Sequence, residues 1–476
     1  MPVSLRRRVS LFVAVALVAL SIPGVATAAI PGVPTGLAVT AGNTEVALTW
    51  TAVTADPAVS TYDVEYTSGA GTTWTLAVRS ASTAASYTVT GLTNGTTYTF
   101  RVRSVSSEAT STPSTTVSAI PFIVHTPNDL PMFSACPTGV IPAAGFTDTT
   151  STDVDCIAYY GITKGTTATT YSPNDSVTRW QMALFLTRLA TRAGTTLPDG
   201  SDQGFSDIAG KSAEIKTAVN QIRQLGITVG KTATTYAPDD VVTREEMALF
   251  LNRLLKKATV GPGGNEEFVS GVEGAKEVKS LDEDHNFTDL TGVTLYESLA
   301  SIGQIWNLGL TEVSTATLYE PQVPMTRVAM ATFMTNALAH TNARPKGLVL
   351  QPSGYRVQGT PTVSFSVTHR DDSFAAIAAS RVDAFRFLHT LVTTVVRFDG
   401  LGKCSGTVTV AVSSTKCTVD TADPTTDAKG NLAVFVDVPQ ATGKTDYWAW
   451  TSVPTTVYDN DIHAAAASKI TVETYP

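Results

Sequence analysis

Charge is scarce in this sequence. Only 16% of its 476 residues are Asp, Glu, Lys or Arg, and their balance is −8, with a pI of about 5.3. A nucleic-acid partner would call for a clustered excess of basic charge, so that class is excluded. Histidine is scarcer: His125, His285, His340, His369, His389 and His463 stand singly. No His-Glu-x-x-His and no Gly-x-Ser-x-Gly occurs, so the metalloprotease and serine-hydrolase signatures are missing. Nothing places two carboxylates across a cleft for glycoside hydrolysis. No segment beyond the first 28 residues is apolar enough to span a bilayer.

Cysteine is equally sparse. The four divide into Cys136 with Cys156 and Cys404 with Cys417, and two local disulfides are the simplest pairing in an exported chain. Loops of that size stabilise by roughly 3 kcal/mol each in the chain-entropy model. No cysteine pair has the short spacing of zinc ligands, so neither a metal nor a cofactor is implied. Export itself is read from residues 1–28: Arg6-Arg7-Arg8, an apolar run from Leu11 to Leu20, and the small-x-small site Ala26-Thr27-Ala28. That is a signal peptide, by the Sec or the twin-arginine route. The product is expected outside the cell, at its surface or in its wall.

What is present in abundance is self-similarity. Val242-Thr243-Arg244-Glu245-Glu246-Met247-Ala248-Leu249-Phe250-Leu251 has counterparts in Val177-Thr178-Arg179-Trp180-Gln181-Met182-Ala183-Leu184-Phe185-Leu186 and Met325-Thr326-Arg327-Val328-Ala329-Met330-Ala331-Thr332-Phe333-Met334. Upstream stand Phe146-Thr147-Asp148, Phe205-Ser206-Asp207 and Phe287-Thr288-Asp289. Between lie Gly161-Ile162-Thr163-Lys164-Gly165, Gly226-Ile227-Thr228-Val229-Gly230 and the weaker Gly309-Leu310-Thr311-Glu312. Tyr171-Ser172-Pro173, Tyr236-Ala237-Pro238 and Tyr319-Glu320-Pro321 complete each copy. Such a period means a helical unit that buries its core against its neighbours. Met247, Phe250, Leu251 and Leu254 recur at helical spacing, as do Met182, Phe185, Leu186 and Leu189, and Met330, Phe333 and Met334. Thr243-x-x-Glu246 and Thr178-x-x-Gln181 are capping boxes; Ala329 breaks the third.

This ordered set resembles the S-layer homology repeat of bacterial surface proteins, over residues 144–340 in three copies (about 144–192, 203–257 and 285–340). The resemblance implies an all-α, pseudo-threefold repeat trimer. It also implies non-covalent binding of secondary cell-wall polysaccharide, in many members through a pyruvylated sugar, in grooves between adjacent repeats. The matching segment supplies a key arginine, here Arg179, Arg244 or Arg327. A cation in a first helical turn opposes the macrodipole. Two readings follow. Each arginine pairs with Asp148, Asp207 or Asp289 or with an acidic loop neighbour, or it joins free helix N–H groups in receiving a ligand carboxylate, and the two can hold together with Asp orienting the Arg until ligand arrives. The candidate glycan-binding set is Arg179, Arg244, Arg327, Asp148, Asp207, Asp289, Thr178, Thr243, Trp180, Gly165 and Gly230. The aspartates also fit turn caps, and Trp180 fits either a sugar platform or a helix-surface aromatic packed on a loop. The third groove departs furthest from the pattern, with Val328-Ala329 and with Val313 in place of a glycine.

The flanks alternate in strand fashion. Val46, Leu48 and Trp50 share a face, and Tyr62 to Tyr66 alternates likewise. With Pro31-x-x-Pro34 and the Leu92–Tyr98 corner, residues 31–121 resemble a fibronectin type III β-sandwich. Residues 122–143 read as a proline-bearing linker clamped near Cys136. Gly261 to His285, with Gly261-Pro262-Gly263-Gly264 and Asp282-Glu283-Asp284, reads as a solvated surface loop without an EF-hand pattern. Residues 345–476 look like an immunoglobulin-like β-sandwich, interrupted by a helical Ala375–Leu388 stretch. His369-Arg370-Asp371-Asp372 reads as a loop. The expected function is non-enzymatic: wall anchoring through the repeats, with β modules as spacer, presentation or self-association surfaces. Two alternatives stand beside it, an adhesin using its β modules and a wall hydrolase with a C-terminal site.

Overall fold

A computed structural model describes residues 29–54, 58–69, 71–123, 125–268, 276–311, 316–353, 356–358, 362–388, 395–397, 423–439, 442–451 and 467–475. The signal segment, Val313, Cys404 and Cys417 lie outside them. The chain divides into two units, 1–124 and 125–476.

The first unit is a β-sandwich. Strands β1 (Thr35–Gly42), β2 (Glu45–Thr51) and β5 (Ser86–Thr90) form one sheet. β3 (Thr61–Ser68), β4 (Thr75–Leu76), β6 (Tyr98–Val105) and β7 (Val117–Ala119) form the other, in the order β4-β3-β6-β7. The alternation in sequence becomes a shared core: Val46, Leu48, Trp50, Tyr62, Val64, Phe100 and Val102 are buried. Trp50 meets Tyr62 edge-on at 5.2 Å. The Tyr98 hydroxyl accepts from Thr93 N at 3.1 Å, closing the tyrosine corner.

The second unit opens with helices. Each copy has a shorter helix, α1 (Thr152–Tyr159), α3 (Ala213–Gln224) or α5 (Tyr296–Asn307), then a longer one, α2 (Arg179–Arg192), α4 (Arg244–Leu255) or α6 (Arg327–His340). The apolar stripes of all three copies meet in one buried cluster. The shorter helix of each copy packs on the longer helix of another: α3 on α2, α5 on α4, and α1 on α6. Beside them the backbone closes a ring of three hydrogen bonds. Val242 N donates to Val177 O (2.9 Å), Met325 N to Val242 O (2.8 Å), and Val177 N to Met325 O (2.9 Å). A chain returning on itself in this way holds its first and last copies together.

Residues 125–137 are docked on these helices. Asp129 N donates to Asn307 O and Met132 N to Gly263 O; Phe133 and Ala135 are buried, and a Cys136–Cys156 disulfide ties the segment to α1. The insertion after α4 also differs from the solvated loop expected of it. It contributes β8 (Glu267–Phe268) and β9 (Lys276–Glu277), and its glycines serve close packing. A Cβ on Gly264 would lie 2.2 Å from His340 O, and one on Gly261 2.0 Å from Thr341 O. Its acidic cluster is bonded into α5, where Glu283 accepts from Tyr296 and Gln304.

Among the described residues beyond α6 there are two sheets. One has the order β10 (Gly347–Pro352), β12 (Val363–Arg370), β15 (Phe435–Asp437). The other runs β11 (Arg356–Gln358), β17 (Ala467–Tyr475), β16 (Gly443–Trp450), β13 (Asp383–Leu388), β14 (Val395–Arg397). The helix expected over Ala375–Leu388 is not formed. Asp383–Leu388 pairs with β14 and β16 instead, so ladder bonds on both sides override its helix-favouring composition. His369 and Arg370 end strand β12, leaving Asp371 and Asp372 as the turn.

Candidate functional site

Each longer helix begins at its arginine, whose side chain leaves the helix end and crosses to another copy. Arg179 Nε donates to Tyr236 O (2.8 Å), Arg244 Nε to Tyr319 O (2.6 Å) and Arg327 Nε to Tyr171 O (2.7 Å). The tyrosines reply: Tyr236, Tyr319 and Tyr171 donate their hydroxyls to the carbonyls of Arg179, Arg244 and Arg327. Each guanidinium also lies over the ring it serves, at 4.7, 5.0 and 4.5 Å. Burial pushes the three phenols above their ordinary pKa, with the arginines opposing the rise. The geometry explains how a cation is tolerated at a positive helix end: its charge sits away from the helix, on carbonyl oxygen and an aromatic face.

The first N–H groups of these helices are not free. Arg179 N and Trp180 N donate to Asp240 O and Pro238 O, Arg244 N and Glu245 N to Val323 O and Pro321 O, and Arg327 N and Val328 N to Asp175 O and Pro173 O. The expectation that they would receive a ligand carboxylate is therefore corrected; loop carbonyls of another copy occupy them. Thr243 and Thr326 cap the next N–H group, while Gln181 and Glu246 accept from Thr178 N and Thr243 N.

Nor do the aspartates act as the arginines' hydrogen-bonding partners. Asp148 accepts from Tyr171 N and Ser172 N, Asp207 from Tyr236 N and Ala237 N, and Asp289 from Tyr319 N and Glu320 N. Ser172, Ala237 and Glu320 hold positive φ near 55–58°, and the carboxylate secures that strained corner. The bonds from Tyr171 and Ser172 hold the Asp148 carboxyl below the usual range, with Arg327 a lesser contributor. Gly165 and Gly230 are turn residues with positive φ. A Cβ on either would collide with Phe146 or Phe205 and with loop carbonyls.

The copies part company one turn into the longer helix, at Gln181, Glu246 and Ala329. Glu246 Oε1 receives both Arg179 Nη1 (2.9 Å) and Lys231 Nζ (2.6 Å). At the first copy the same position is neutral Gln181. There a cavity of about 330 Å³ is lined by Lys164, Gly165, Trp180, Gln181, Arg188 and Arg327, among others, with no carboxylate in its wall. Arg327 is 3% exposed, and its Nη2 is buried without a hydrogen-bond partner. Arg188 pairs at the rim with exposed Glu214 (3.0 Å). Trp180 thus stands in the groove wall. Tyr171, Tyr236 and Tyr319 stand in the sequence as loop aromatics with nothing to tie them to the arginines, and Lys231 carries no signal there. Position 246 reads from sequence as a cap alone, although the Gln181/Glu246/Ala329 difference is visible in the repeats.

A model of the fibronectin type III domain matches residues 32–120, and one of the S-layer homology domain matches 154–183 and 204–248. The chain carries S-layer homology repeats behind a fibronectin type III domain. Residues 285–340 lie outside the matched span and carry the same arginine–tyrosine bonds, through Arg327 and Tyr319. S-layer homology repeats associate exported proteins with the cell surface or wall. An endoglucanase of Bacillus sp. (strain KSM-635) is 43% identical over 86 residues, which are 18% of this chain and 8% of that protein. The chain thus spans a small part of that relative's length. Among solved structures, a fibronectin type III-like protein from Clostridium thermocellum is 28% identical, covering 18% of this chain and 90% of its own (TM-score 0.16). A titin fragment is also 28% identical, covering 20% and 32% (TM-score 0.18). Among the described residues, no helix is long and apolar enough to cross a membrane.

Proposed function

We propose that this protein is a non-enzymatic wall anchor whose repeats form a pseudo-threefold unit and bind an acidic cell-wall polysaccharide in the first-copy groove. The cyclic backbone bonds among Val177, Val242 and Met325 support the threefold arrangement. The observation that carries the binding reading is the unsatisfied Arg327 Nη2 in a groove with Lys164 and Trp180. A carboxylate-bearing sugar, such as a pyruvate ketal, supplies what that wall lacks: an acceptor for the guanidinium and a ring face for the indole. The groove wall offers no carboxylate or imidazole to move a proton, which favours binding over hydrolysis. The N-terminal sandwich and an immunoglobulin-like C-terminal module would space and present the anchored chain, with self-association as a further use.

Co-sedimentation of the full chain with purified cell walls tests this. Lys164→Glu combined with Trp180→Ala is expected to abolish pelleting while the helical circular dichroism stays intact. Lys231→Ala, in the second copy, should pellet as the parent does, and walls stripped of ketal-linked pyruvate should fail to bind it. Full pelleting by the folded double variant would remove the groove from the mechanism and turn attention to the β modules.

A further inference from the structure

A second cavity, of about 200 Å³, lies where the repeats meet the C-terminal sheets. It is lined by Tyr160, Thr191, Arg192, Arg344, Ser373 and Phe374, among others. It shares no lining residue with the first-copy groove, which takes its part of α2 from Trp180 to Arg188 and not from the last turn. Its chemistry is cationic. Arg192 donates from Nε to Tyr160 O and from Nη1 to Ser373 O, leaving Nη2 without a hydrogen bond among the described residues. Arg344 is 2% exposed. Its Nη1 donates to Thr341 O and Ala343 O, and its Nη2 to Pro262 O and Ala339 O. The fifth donor, Nε, is buried with no partner. Burial lowers the pKa of both arginines, that of Arg344 to about 10, so each stays charged at neutral pH.

Folding accounts for part of this. The ends of α1, α2 and α6 come together here, and carbonyls at helix C-termini favour cations. They leave one donor on each arginine, and the cavity wall holds no carboxylate. Asp371 and Asp427 act on Lys346 and Arg370 instead. We propose that this cavity is a phosphate site, in which the oxyanion bridges Arg192 of the first copy and Arg344 beyond the third. Two guanidinium charges match the roughly −1.5 to −2 of a phosphoryl group at pH 7 better than the single charge of a carboxylate. The volume falls below the roughly 300 Å³ at which pockets for larger ligands begin. At about 10–15 Å³ per water it holds one phosphate with part of its hydration. Occupancy ties the end of α2, the segment after α6 and the β12–β13 connection together. The site is independent of the anion-groove reading above.

Titration calorimetry of the full chain with sodium phosphate, at fixed ionic strength, tests this. The parent should bind phosphate with a millimolar dissociation constant or tighter. Thr191 is an exposed residue of the cavity wall, so Thr191→Glu adds a carboxylate there and keeps both arginines. It should weaken phosphate binding about tenfold to a hundredfold, the worth of a charge-assisted bond, whereas Thr191→Gln and Lys164→Glu bind as the parent does. In the parent, phosphate should also slow hydrogen exchange at Tyr160 and Ser373, a readout that needs no variant. Glycerol 1-phosphate defines the source. Binding as tight as that of the free ion admits the phosphoryl end of a wall polymer, and exclusion confines the site to inorganic phosphate; either result upholds the phosphate site. The proposal is overturned if the parent takes up no phosphate, if Thr191→Glu binds it undiminished, or if acetate binds as tightly.

Discussion

At the scale of single residues, the unit that repeats is a reciprocal bond between an arginine and a tyrosine of different copies. Its two halves are separable. Tyr236→Phe leaves the ring beneath Arg179 and deletes only the hydroxyl bond to the Arg179 carbonyl, 2.8 Å long. That carbonyl begins a helix and retains its intrahelical donor, so the loss is one net hydrogen bond, about 1 kcal/mol. Tyr236→Ala removes a fully buried aromatic as well and is expected to cost about 3–5 kcal/mol. Urea unfolding of the two variants, with equal slopes, checks the ratio; equal losses would show that the hydroxyl and not the ring carries the clamp. The sequence displayed every participant here but not the pairing. An arginine at a helix start looks like a functional anomaly until its carbonyl acceptor, some 57 to 156 residues away, is known. Aspartates beside it look like counter-ions until their backbone donors are seen.

At the scale of elements, periodicity was a good guide and composition a poor one. The stripes Met182-Phe185-Leu186-Leu189 and Met247-Phe250-Leu251-Leu254 became core as read. Ala375–Leu388 misled because its alanines and leucines favour helix locally, while two neighbouring strands decide the outcome. Glycine was misread in the opposite sense: Gly261-Pro262-Gly263-Gly264 resembles solvated loop, yet its lack of side chains lets it lie against the end of α6. Gly264→Ala places a methyl group in the space of the His340 carbonyl, and the backbone shift needed should cost about 1–3 kcal/mol. Gly292 has open space around its Cβ position, so Gly292→Ala should stay within about 0.5 kcal/mol of the parent. Thermal denaturation of the pair decides the matter; equal small shifts would mean that the insertion is not held by backbone contact.

At the scale of the whole second unit, the repeats and the C-terminal sheets are joined by a small aromatic and cationic lock. Phe374, at φ +70°, projects from the β12–β13 connection against Tyr159 (5.3 Å) and Tyr160 (5.1 Å) of the first copy. Arg192 and Lys346 lie over its ring at 4.4 and 4.8 Å, and Arg192 Nη1 donates to Ser373 O. Asn342 donates to Lys429 O close by, and Arg370 donates to Asn342 and Asn431. The wall of the proposed first-copy groove is therefore attached to the C-terminal sheets through α1 and α2. None of this was legible beforehand, because the lock centres on Phe374, which stands between His369–Asp372, read as a loop, and Ala375–Leu388, read as helix. Phe374→Ala removes a half-buried ring and two cation contacts, worth about 2 kcal/mol together. That loosens the docking equilibrium roughly thirtyfold. Hydrogen exchange should accelerate at Tyr160 and across Asp371–Ile377, while the amides of Val177, Val242 and Met325 keep their protection. If exchange stays slow at the lock, the polar contacts of Asn342 and Arg370 suffice to hold the two parts together; if the ring amides accelerate too, the repeats depend on the C-terminal sheets for their own stability.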